Sequence, residues 1–323
     1  ADGTRSVPAT LELLMFDSIS FHTLIHLLVV LAFPPLLLGI INRTKAIIGG
    51  RRGQPILQTY YDLAKLLRKE SVFSETTTWV FRFGPVVGLV TALVAALIVP
   101  LGHASAPLSF TGDVILFAYV LALGRFFTMA AALDTGSAFE GMGSAREATF
   151  ACLAEPVLFL GLLVLSRISG SLQMSGLLGD AVAGGWATSA APLLLIVASW
   201  LVVLLVENCR IPFDDPNTHL ELTMIHEVMV LDHSGPAFGA IVYGASLKLF
   251  VFAGMIVNLV LPFGTGSSIV DWFVFLLGTL LLAAVVGTVE SVMARLKMAE
   301  IPKLLIGAGV VSLFAVVLLL SYP

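Results

Sequence analysis

The chain contains little charge. Lys, Arg, Asp and Glu together make up 12% of its 323 residues, whereas 58% are hydrophobic and the mean hydropathy is +1.00. Soluble domains carry about 25% charged residues and roughly 45 to 50% apolar ones. This composition excludes a soluble globular protein, so the few charged residues are the first place to look for function.

Positive charge and cysteine are also scarce. The net charge is −4 at pH 7, which excludes the basic surface that nucleic-acid binding requires. The two cysteines, Cys152 and Cys209, form no CxxC pair, which argues against a disulfide framework and against an iron–sulfur or zinc site. We therefore expect no metal or cofactor in this chain, and any redox metal must lie in a partner subunit.

Long apolar runs, by contrast, recur along the whole sequence. A membrane helix needs about 20 apolar residues, and eight such windows predict an all-α integral membrane protein with one membrane domain over 1–323. The first window is not a signal peptide, because its basic residues follow the apolar run. The predicted spans are 20–41, 80–102, 112–133, 148–168, 187–206, 237–261, 270–293 and 303–321.

The distribution of Lys and Arg predicts the orientation. The connection 42–79 holds seven of them, and the later odd-numbered connections hold Arg146, Arg210, Arg295 and Lys297. The even-numbered connections hold none; they are 103–111, 169–186 and 262–269. By the positive-inside rule both termini lie outside, with a basic cytoplasmic loop at 42–79 and an acidic one at 207–236. We expect this multi-pass protein in the cytoplasmic (inner) membrane.

Three charged residues stand out because they lie deep inside predicted spans. Each charge at the bilayer centre costs at least ~2.5 to 3.5 kcal/mol, so it needs a partner or a function. From the cytoplasmic helix ends, at ~1.5 Å per residue, all three lie at similar depths of roughly 10 to 16 Å. They are Arg125, Glu155 and Lys248. We predict that they form one buried cluster between the third, fourth and sixth spans, as a proton relay or as static pairs between helices.

Further acids lie at the cytoplasmic ends of spans: Asp134, Glu147, Glu207 and Glu290. Close small-residue pairs predict tight helix packing at Gly84 and Gly88 and at Gly235 and Gly239.

The acidic loop combines six carboxylates with three histidines. The acids are Glu207, Asp214, Asp215, Glu221, Glu227 and Asp232. Asp215-Pro216 is typical of a helix start and predicts an amphipathic helix from 216 to about 231, with an apolar stripe at Leu220, Met224, Val228 and Leu231. His226-Glu227 begins a zinc-protease HExxH pattern, but Val230 occupies the second histidine position. The loop favours proton handling, with a solvated acidic helix as the alternative.

At this point the residues match a known family. The stretch 207–214, ENCRIPFD, resembles the "ETNRxPFD" loop of respiratory complex I membrane subunit 1. Its continuation to Glu227 is similar to the branch in membrane-bound [NiFe] hydrogenases, of the formate hydrogenlyase and hydrogenase-4 type. Asp232-His233-Ser234-Gly235 stands where complex I has "EYSG", and Glu147 matches the acid after the third helix. In the basic loop the matches to "QPxxDxxKLxxKE" are Gln58, Asp62, Lys65, Lys69 and Glu70.

The resemblance implies a subunit that docks a cytoplasmic redox arm and links electron transfer to proton or sodium translocation. The implied partners are hydrogenase-like large and small subunits, an iron–sulfur protein and antiporter-like membrane subunits, with iron–sulfur clusters and a [NiFe] centre in those partners. The candidate path residues are Arg125, Glu147, Glu155, Glu207, Asp214, Asp215, Glu221, Glu227, Asp232 and Lys248. The candidate docking residues are Arg51, Arg52, Asp62, Lys65, Lys69 and Arg210.

Two other functions stay open. One is the quinone-site subunit of an NADH:quinone oxidoreductase, which the short Gly/Pro stretch 49–55 and His233 in place of the family tyrosine disfavour. The other is a stand-alone secondary transporter, for which paired broken helices are expected. Pro34-Pro35 is a candidate break, without a matching one elsewhere in the sequence.

Overall fold

A computed structural model describes residues 9–214, 224–262 and 264–321, with side chains from residue 21 onward. These residues form thirteen helices and no β-strand. The helices are α1 (Ala9–Ala32), α2 (Pro34–Ile48), α3 (Gln58–Leu67), α4 (Trp79–Ile98), α5 (Asp113–Asp134), α6 (Ala138–Ser169), α7 (Met174–Leu177), α8 (Asp180–Thr188), α9 (Ala190–Glu207), α10 (His226–Val230), α11 (Gly235–Val260), α12 (Ser268–Val292) and α13 (Ile301–Ser321).

Seven of these helices are long and apolar enough to cross a membrane: α4, α5, α6, α9, α11, α12 and α13. The bent pair α1 and α2, with 47° between its halves, supplies an eighth span if it counts as one. The predicted all-α membrane fold with about eight spans is confirmed. The side of the membrane on which the termini lie stays a prediction.

The bend in the first span follows from its two prolines. Pro34 and Pro35 lack the N–H groups that would bond the carbonyls of Val30 and Leu31 in a continuous helix. Tyr243 of α11 supplies the missing donor, since its hydroxyl lies 2.9 Å from the Leu31 carbonyl oxygen and 3.4 Å from that of Val30.

The next carbonyl, that of Ala32, accepts a hydrogen bond from the hydroxyl of Tyr60 on α3. Burial raises the pKa of Tyr60, so this hydroxyl keeps its proton at neutral pH. The break is therefore held by two tyrosines from two different elements.

Several predicted boundaries are wrong. The fourth span, predicted to begin at 148, belongs to α6, which begins at Ala138. α2 continues to Ile48, so the basic connection begins after it and contains α3. The even-numbered connection 169–186 contains the short helix α7 and the start of α8.

Of the helix predicted over 216 to about 231, the structure describes residues 224–231, and in this part only His226–Val230 are helical. Residues 215–223 lie outside the described ranges, and α10 begins only at His226. The carboxylate of Asp214 accepts the N–H groups of Ile225 and His226, both at 3.1 Å, which starts α10 at that point. Leu231 is 46% exposed, so it does not continue the buried apolar stripe of Met224 and Val228.

The core lies where α4, α6, α9 and α11 meet, around Trp200, Leu165 and Phe250. A Cβ on Gly84 would come within 2.9 Å of Ala131 on α5, so this glycine permits close packing of α4 and α5. Gly235 and Gly239 instead lie against the segment around Leu66 and Glu70 of the basic connection. They seat the start of α11 on that segment.

Candidate functional site

Arg125 of α5 is the centre of a charged cluster inside the helix bundle. Its Nη2 lies 2.6 and 2.8 Å from the two carboxylate oxygens of Glu207 at the end of α9, a bidentate pair. Its Nη1 donates to Glu155 of α6, and its Nε lies 3.7 Å from Glu147, which is eight residues earlier on the same helix. Arg125 thus joins three helices through three carboxylates.

Lys248 of α11 completes the cluster. Its Nζ lies 2.7 Å from Oε2 of Glu207. Arg125 and Glu155 meet as predicted, but Lys248 joins them only through Glu207, which the sequence had placed among the helix-end acids. Glu207 is in the last turn of α9 and is buried, so α9 supplies the contact between Arg125 and Lys248.

The cluster carries an excess of negative charge and is largely shielded. Three carboxylates (Glu147, Glu155 and Glu207) face two cations, which leaves one uncompensated negative charge when all are ionised. The side chains of Glu207 and Arg125 are 5% and 8% exposed. Such a group can hold one mobile positive charge, either a proton or a small cation.

A cavity of about 130 Å³ lies against this cluster. Small residues of α4, α5 and α11 form its walls, among them Gly88, Gly124 and Gly244. Arg125, Glu147, Glu207 and Lys248 line it together with His226 and His233 of the acidic loop. A space of this size and polarity has room for several water molecules.

His233 and Cys209 border the cavity from outside the spans. The ring of His233 stacks on Phe81 with 3.9 Å between centroids, and burial lowers the pKa of His233 to about 4. Burial also raises the pKa of the Cys209 thiol well above its usual value. Both groups are therefore neutral at pH 7, and the charge at the cavity is that of the cluster.

A second ion-pair network lies at the same end of the molecule. Glu290 of α12, whose side chain is fully buried, lies 2.7 Å from Nζ of Lys45 on α2 and 3.5 Å from Nη1 of Arg210. Asp214 pairs with Arg295 at 2.7 Å. These contacts tie the acidic loop to the ends of α2 and α12 and to the connection before α13, in agreement with their shared predicted side.

Arg210 was predicted to dock a partner and Asp214 to lie on the ion path, but both form ion pairs within the chain. The Arg210 side chain is 11% exposed and points to Glu290, so it does not contribute to a docking surface. Asp214 pairs with Arg295 and bonds the first N–H groups at α10. It holds the acidic loop in place.

The other candidate docking residues are exposed on the basic connection between the first two spans: Arg51, Arg52, Asp62, Lys65 and Lys69. Among the remaining candidate path residues, Asp232 is exposed and Glu227 is partly buried. Asp215 and Glu221 lie outside the described residues.

Sequence reasoning missed Glu140. It lies in the first turn of α6, is 3% exposed, and contacts the hydroxyl of Thr135. A signal was present in the sequence, since Glu140 and Glu147 are seven residues apart and so lie on one helix face.

Within the described part of the chain, no three His, Cys, Asp or Glu side chains are arranged to hold a metal ion.

Comparisons with known proteins agree with this architecture. The protein family described as NADH dehydrogenase matches residues 21–321. Formate hydrogenlyase subunit 4 of Escherichia coli (strain K12) is 36% identical over 278 residues, which cover 86% of this chain and 87% of that protein. Hydrogenase-4 component C of the same organism is 34% identical over 273 residues, covering 83% and 85%.

A solved structure shares the fold. A chain in the structure of the membrane-bound sulfane sulfur reductase, an archaeal respiratory membrane complex, superposes with a TM-score of 0.81 at 20% identity. The superposition covers 94% of this chain and 99% of that one.

Proposed function

The chain belongs to the NADH dehydrogenase family, and from that premise we propose that it is the membrane subunit of a hydrogenase-type, complex I-like redox complex. It anchors a cytoplasmic arm that carries iron–sulfur clusters and a [NiFe] centre. It links electron transfer in that arm to proton or sodium translocation across the cytoplasmic membrane. The chain itself supplies the charged cluster and a cavity with room for water, and the partner subunits supply the redox centres.

The observation that carries this proposal is the cluster of Arg125, Glu207 and Lys248 beside the cavity. Buried ionisable groups are expensive in a membrane and mark ion pathways. Here the acids outnumber the cations by one, and the cavity joins them to the histidines of the acidic loop. A charge change at the docked arm would act on this cluster through the loop.

Glu155 supports a neighbouring membrane subunit. Its side chain is 39% exposed in the isolated chain, although it lies in the middle of α6 and pairs with Arg125. A carboxylate open to lipid at that depth is costly, so another protein surface is expected to cover it. An antiporter-like subunit at this face would receive the ion from the cluster.

The basic connection supports the cytoplasmic partner. Arg51, Arg52, Lys65 and Lys69 are all exposed, next to exposed apolar side chains such as Tyr61 and Leu67. Charged residues around apolar ones are typical of protein interfaces. This surface, which includes α3, would bind the arm, while α11 packs behind α3.

The first test is to purify the chain gently from its native membranes and to identify its stoichiometric partners by mass spectrometry. We expect a large subunit whose sequence contains two CxxC pairs, the ligands of a nickel site. A large subunit without them would contradict the hydrogenase assignment and leave a membrane anchor of another redox complex. Recovery of the chain alone, after gentle solubilisation, would contradict the subunit role.

A further inference from the structure

Glu140 is a buried carboxyl group without a cation. It is 3% exposed, and no Lys or Arg in the described part of the chain lies within ion-pair distance of it. Its Oε1 is shielded from solvent and lacks a hydrogen-bond partner. An ionised carboxylate in such surroundings costs several kcal/mol, and the usual outcome is that it binds a proton.

The contacts of Thr135 also favour a proton on Glu140. The Thr135 hydroxyl lies 2.8 Å from the carbonyl oxygen of Ala132, which can only accept a hydrogen bond. The same hydroxyl contacts Oε2 of Glu140. A hydroxyl has one hydrogen, so it cannot donate to both oxygens. Both contacts are hydrogen bonds if Glu140 is protonated and donates to Thr135.

The charged groups on the neighbouring elements do not stabilise a negative Glu140. On α5, the carboxylate of Asp134 is bound to the start of α4, at 2.7 Å from the N–H of Thr78. In the loop before α11, the exposed carboxylate of Asp232 is close enough to repel a second negative charge, although the backbone N–H of Asp232 donates towards Glu140, and buried His233 is neutral.

The remaining charged groups lie on α10 and on α6 itself. α10 carries His226 and Glu227, which are both partly buried. On α6, Arg146 donates through Nη1 to the Met224 carbonyl at 2.8 Å, so it points towards the acidic loop.

Glu140 lies beside the cavity but is not among the residues that line it. Ala131, one turn before Thr135, lines the cavity, as do Met229 and His233. Between Glu140 and Glu147 the face of α6 carries Gly143, where a Cβ would overlap Val228 of α10. α10 therefore covers the two turns, about 10 Å along the helix, that separate the two acids.

We propose that Glu140 is a protonated acid between Asp232 and the wall of the cavity that loads protons into the charged cluster. A proton passes from bulk water at Asp232 to Glu140, and from Glu140 into the cavity, whose water carries it to Glu147. Each step moves one proton between oxygens and involves no electron transfer. This inference rests on the proposed function, because it assumes that the cluster conducts protons.

The test uses the whole purified complex and infrared difference spectroscopy. The Glu140→Gln variant is expected to lose one C=O stretching band of a protonated carboxyl group at neutral pH. Glu75→Gln, at an exposed acid of the cytoplasmic connection, is the matched control and should keep every such band. An unchanged spectrum in the Glu140→Gln complex would show that Glu140 is ionised and overturn the proposal.

A second variant covers the case in which the Glu140→Gln complex does not assemble. Thr135→Val removes the oxygen that accepts from Glu140 but keeps the carboxyl group. The carboxyl band should then shift to higher frequency, because its hydrogen bond is lost. A band that stays in place would contradict the assigned donor and overturn the proposal.

The transport role is measured separately in liposomes. Proton translocation by the Glu140→Gln complex should fall about tenfold or more, as expected for the loss of a positioned proton-transfer group, with electron transfer measured alongside. Wild-type rates at all pH values would overturn the loading role. If the wild-type complex translocates no protons, the proposed function fails instead, and the infrared band still reports whether Glu140 is protonated.

Discussion

At the scale of single residues, Glu207 is the group on which the cluster depends. Among the described residues, it alone pairs with both cations, Arg125 and Lys248, and its side chain is 5% exposed. We expect Glu207→Gln to abolish ion translocation in the assembled complex, because the substituted amide cannot take up a proton or hold both cations. The measurement is translocation into liposomes by a dye, with electron transfer recorded in the same preparation.

The control for this variant is Glu300→Gln, which changes an exposed acid between α12 and α13. It should translocate ions at the wild-type rate. Removing one partner of a buried ion pair costs about 3 to 5 kcal/mol, so the Glu207 variant is compared only after its subunit composition has been verified. Unchanged translocation in an intact Glu207→Gln complex would remove this residue from the path.

His233 makes a pH-dependent contribution to stability. Burial lowers its pKa to about 4, below the usual 6.5, so the unfolded chain binds a proton that the folded chain does not between these values. Its stabilising contribution is complete above pH 6.5 and is lost as the pH falls towards 4. Between pH 6.5 and 5.5 this amounts to about 1 kcal/mol.

The measurement is thermal unfolding in detergent at both pH values. His233→Phe keeps an aromatic ring against Phe81 and removes the titrating group, so its midpoint should fall less on acidification than that of the wild type. Equal shifts in the two proteins would show that His233 does not titrate differently in the folded and unfolded states.

The charged residues themselves could be predicted from the sequence, but their partners could not. Arg125, Glu155 and Lys248 stand out because charge is rare in apolar spans. Their pairing depends on how each helix is rotated, and that is decided by packing between helices. Glu140 escaped attention because a lone acid near a helix start usually reaches water. Its seven-residue spacing from Glu147 is the signal in the sequence, and its burial and its contact with Thr135 then distinguish it in the structure.

At the scale of elements, the break between α1 and α2 depends on Tyr243. Tyr243→Phe would leave the carbonyl of Leu31 without a donor, since Pro35 cannot supply one. Within a membrane span no water can replace the lost donor, and an unsatisfied carbonyl there costs several kcal/mol, so we expect a lower unfolding temperature and faster hydrogen exchange after the bend. Tyr119→Phe is the matched control, because Tyr119 is 72% exposed on α5. Equal stability of the two variants would contradict the clamp.

Element boundaries were predicted least well where charge lies on an inner helix face. Hydropathy falls at Glu140, Arg146 and Glu147, which moved the predicted start of the fourth span to 148. α6 nonetheless begins at Ala138. Its acids face the interior of the bundle, since Glu147 lies next to Arg125 and Glu140 is buried. α10 is likewise positioned by a distant carboxylate, that of Asp214, and no local pattern contains this information.

At the scale of the whole molecule, the charged networks lie at one end. Lys45 near the end of α2 and Glu290 near the end of α12 meet Arg210 of the acidic loop, where the first, seventh and fifth connections begin, and the Arg125 cluster lies next to that loop. The count of Lys and Arg in the sequence predicted that these connections share a side. The basic surface on the first connection is therefore placed beside the loop that borders the cavity, and a partner bound there would lie within reach of both.

This arrangement gives a prediction about assembly. Replacing Arg51, Arg52, Lys65 and Lys69 with Glu reverses four exposed charges and should release the cytoplasmic arm from membranes, because the partner surface would then be repelled. The charge-conserving exchange of Arg for Lys and Lys for Arg at the same positions is the control and should keep the arm bound.

The measurement is the amount of large subunit that sediments with membranes at low and high salt. Release of the wild-type arm should also increase with salt, since exposed charge pairs are screened. An arm that remains bound in the reversed variant would show that this basic surface is not the dock, while the charged cluster inside the bundle would keep its proposed function.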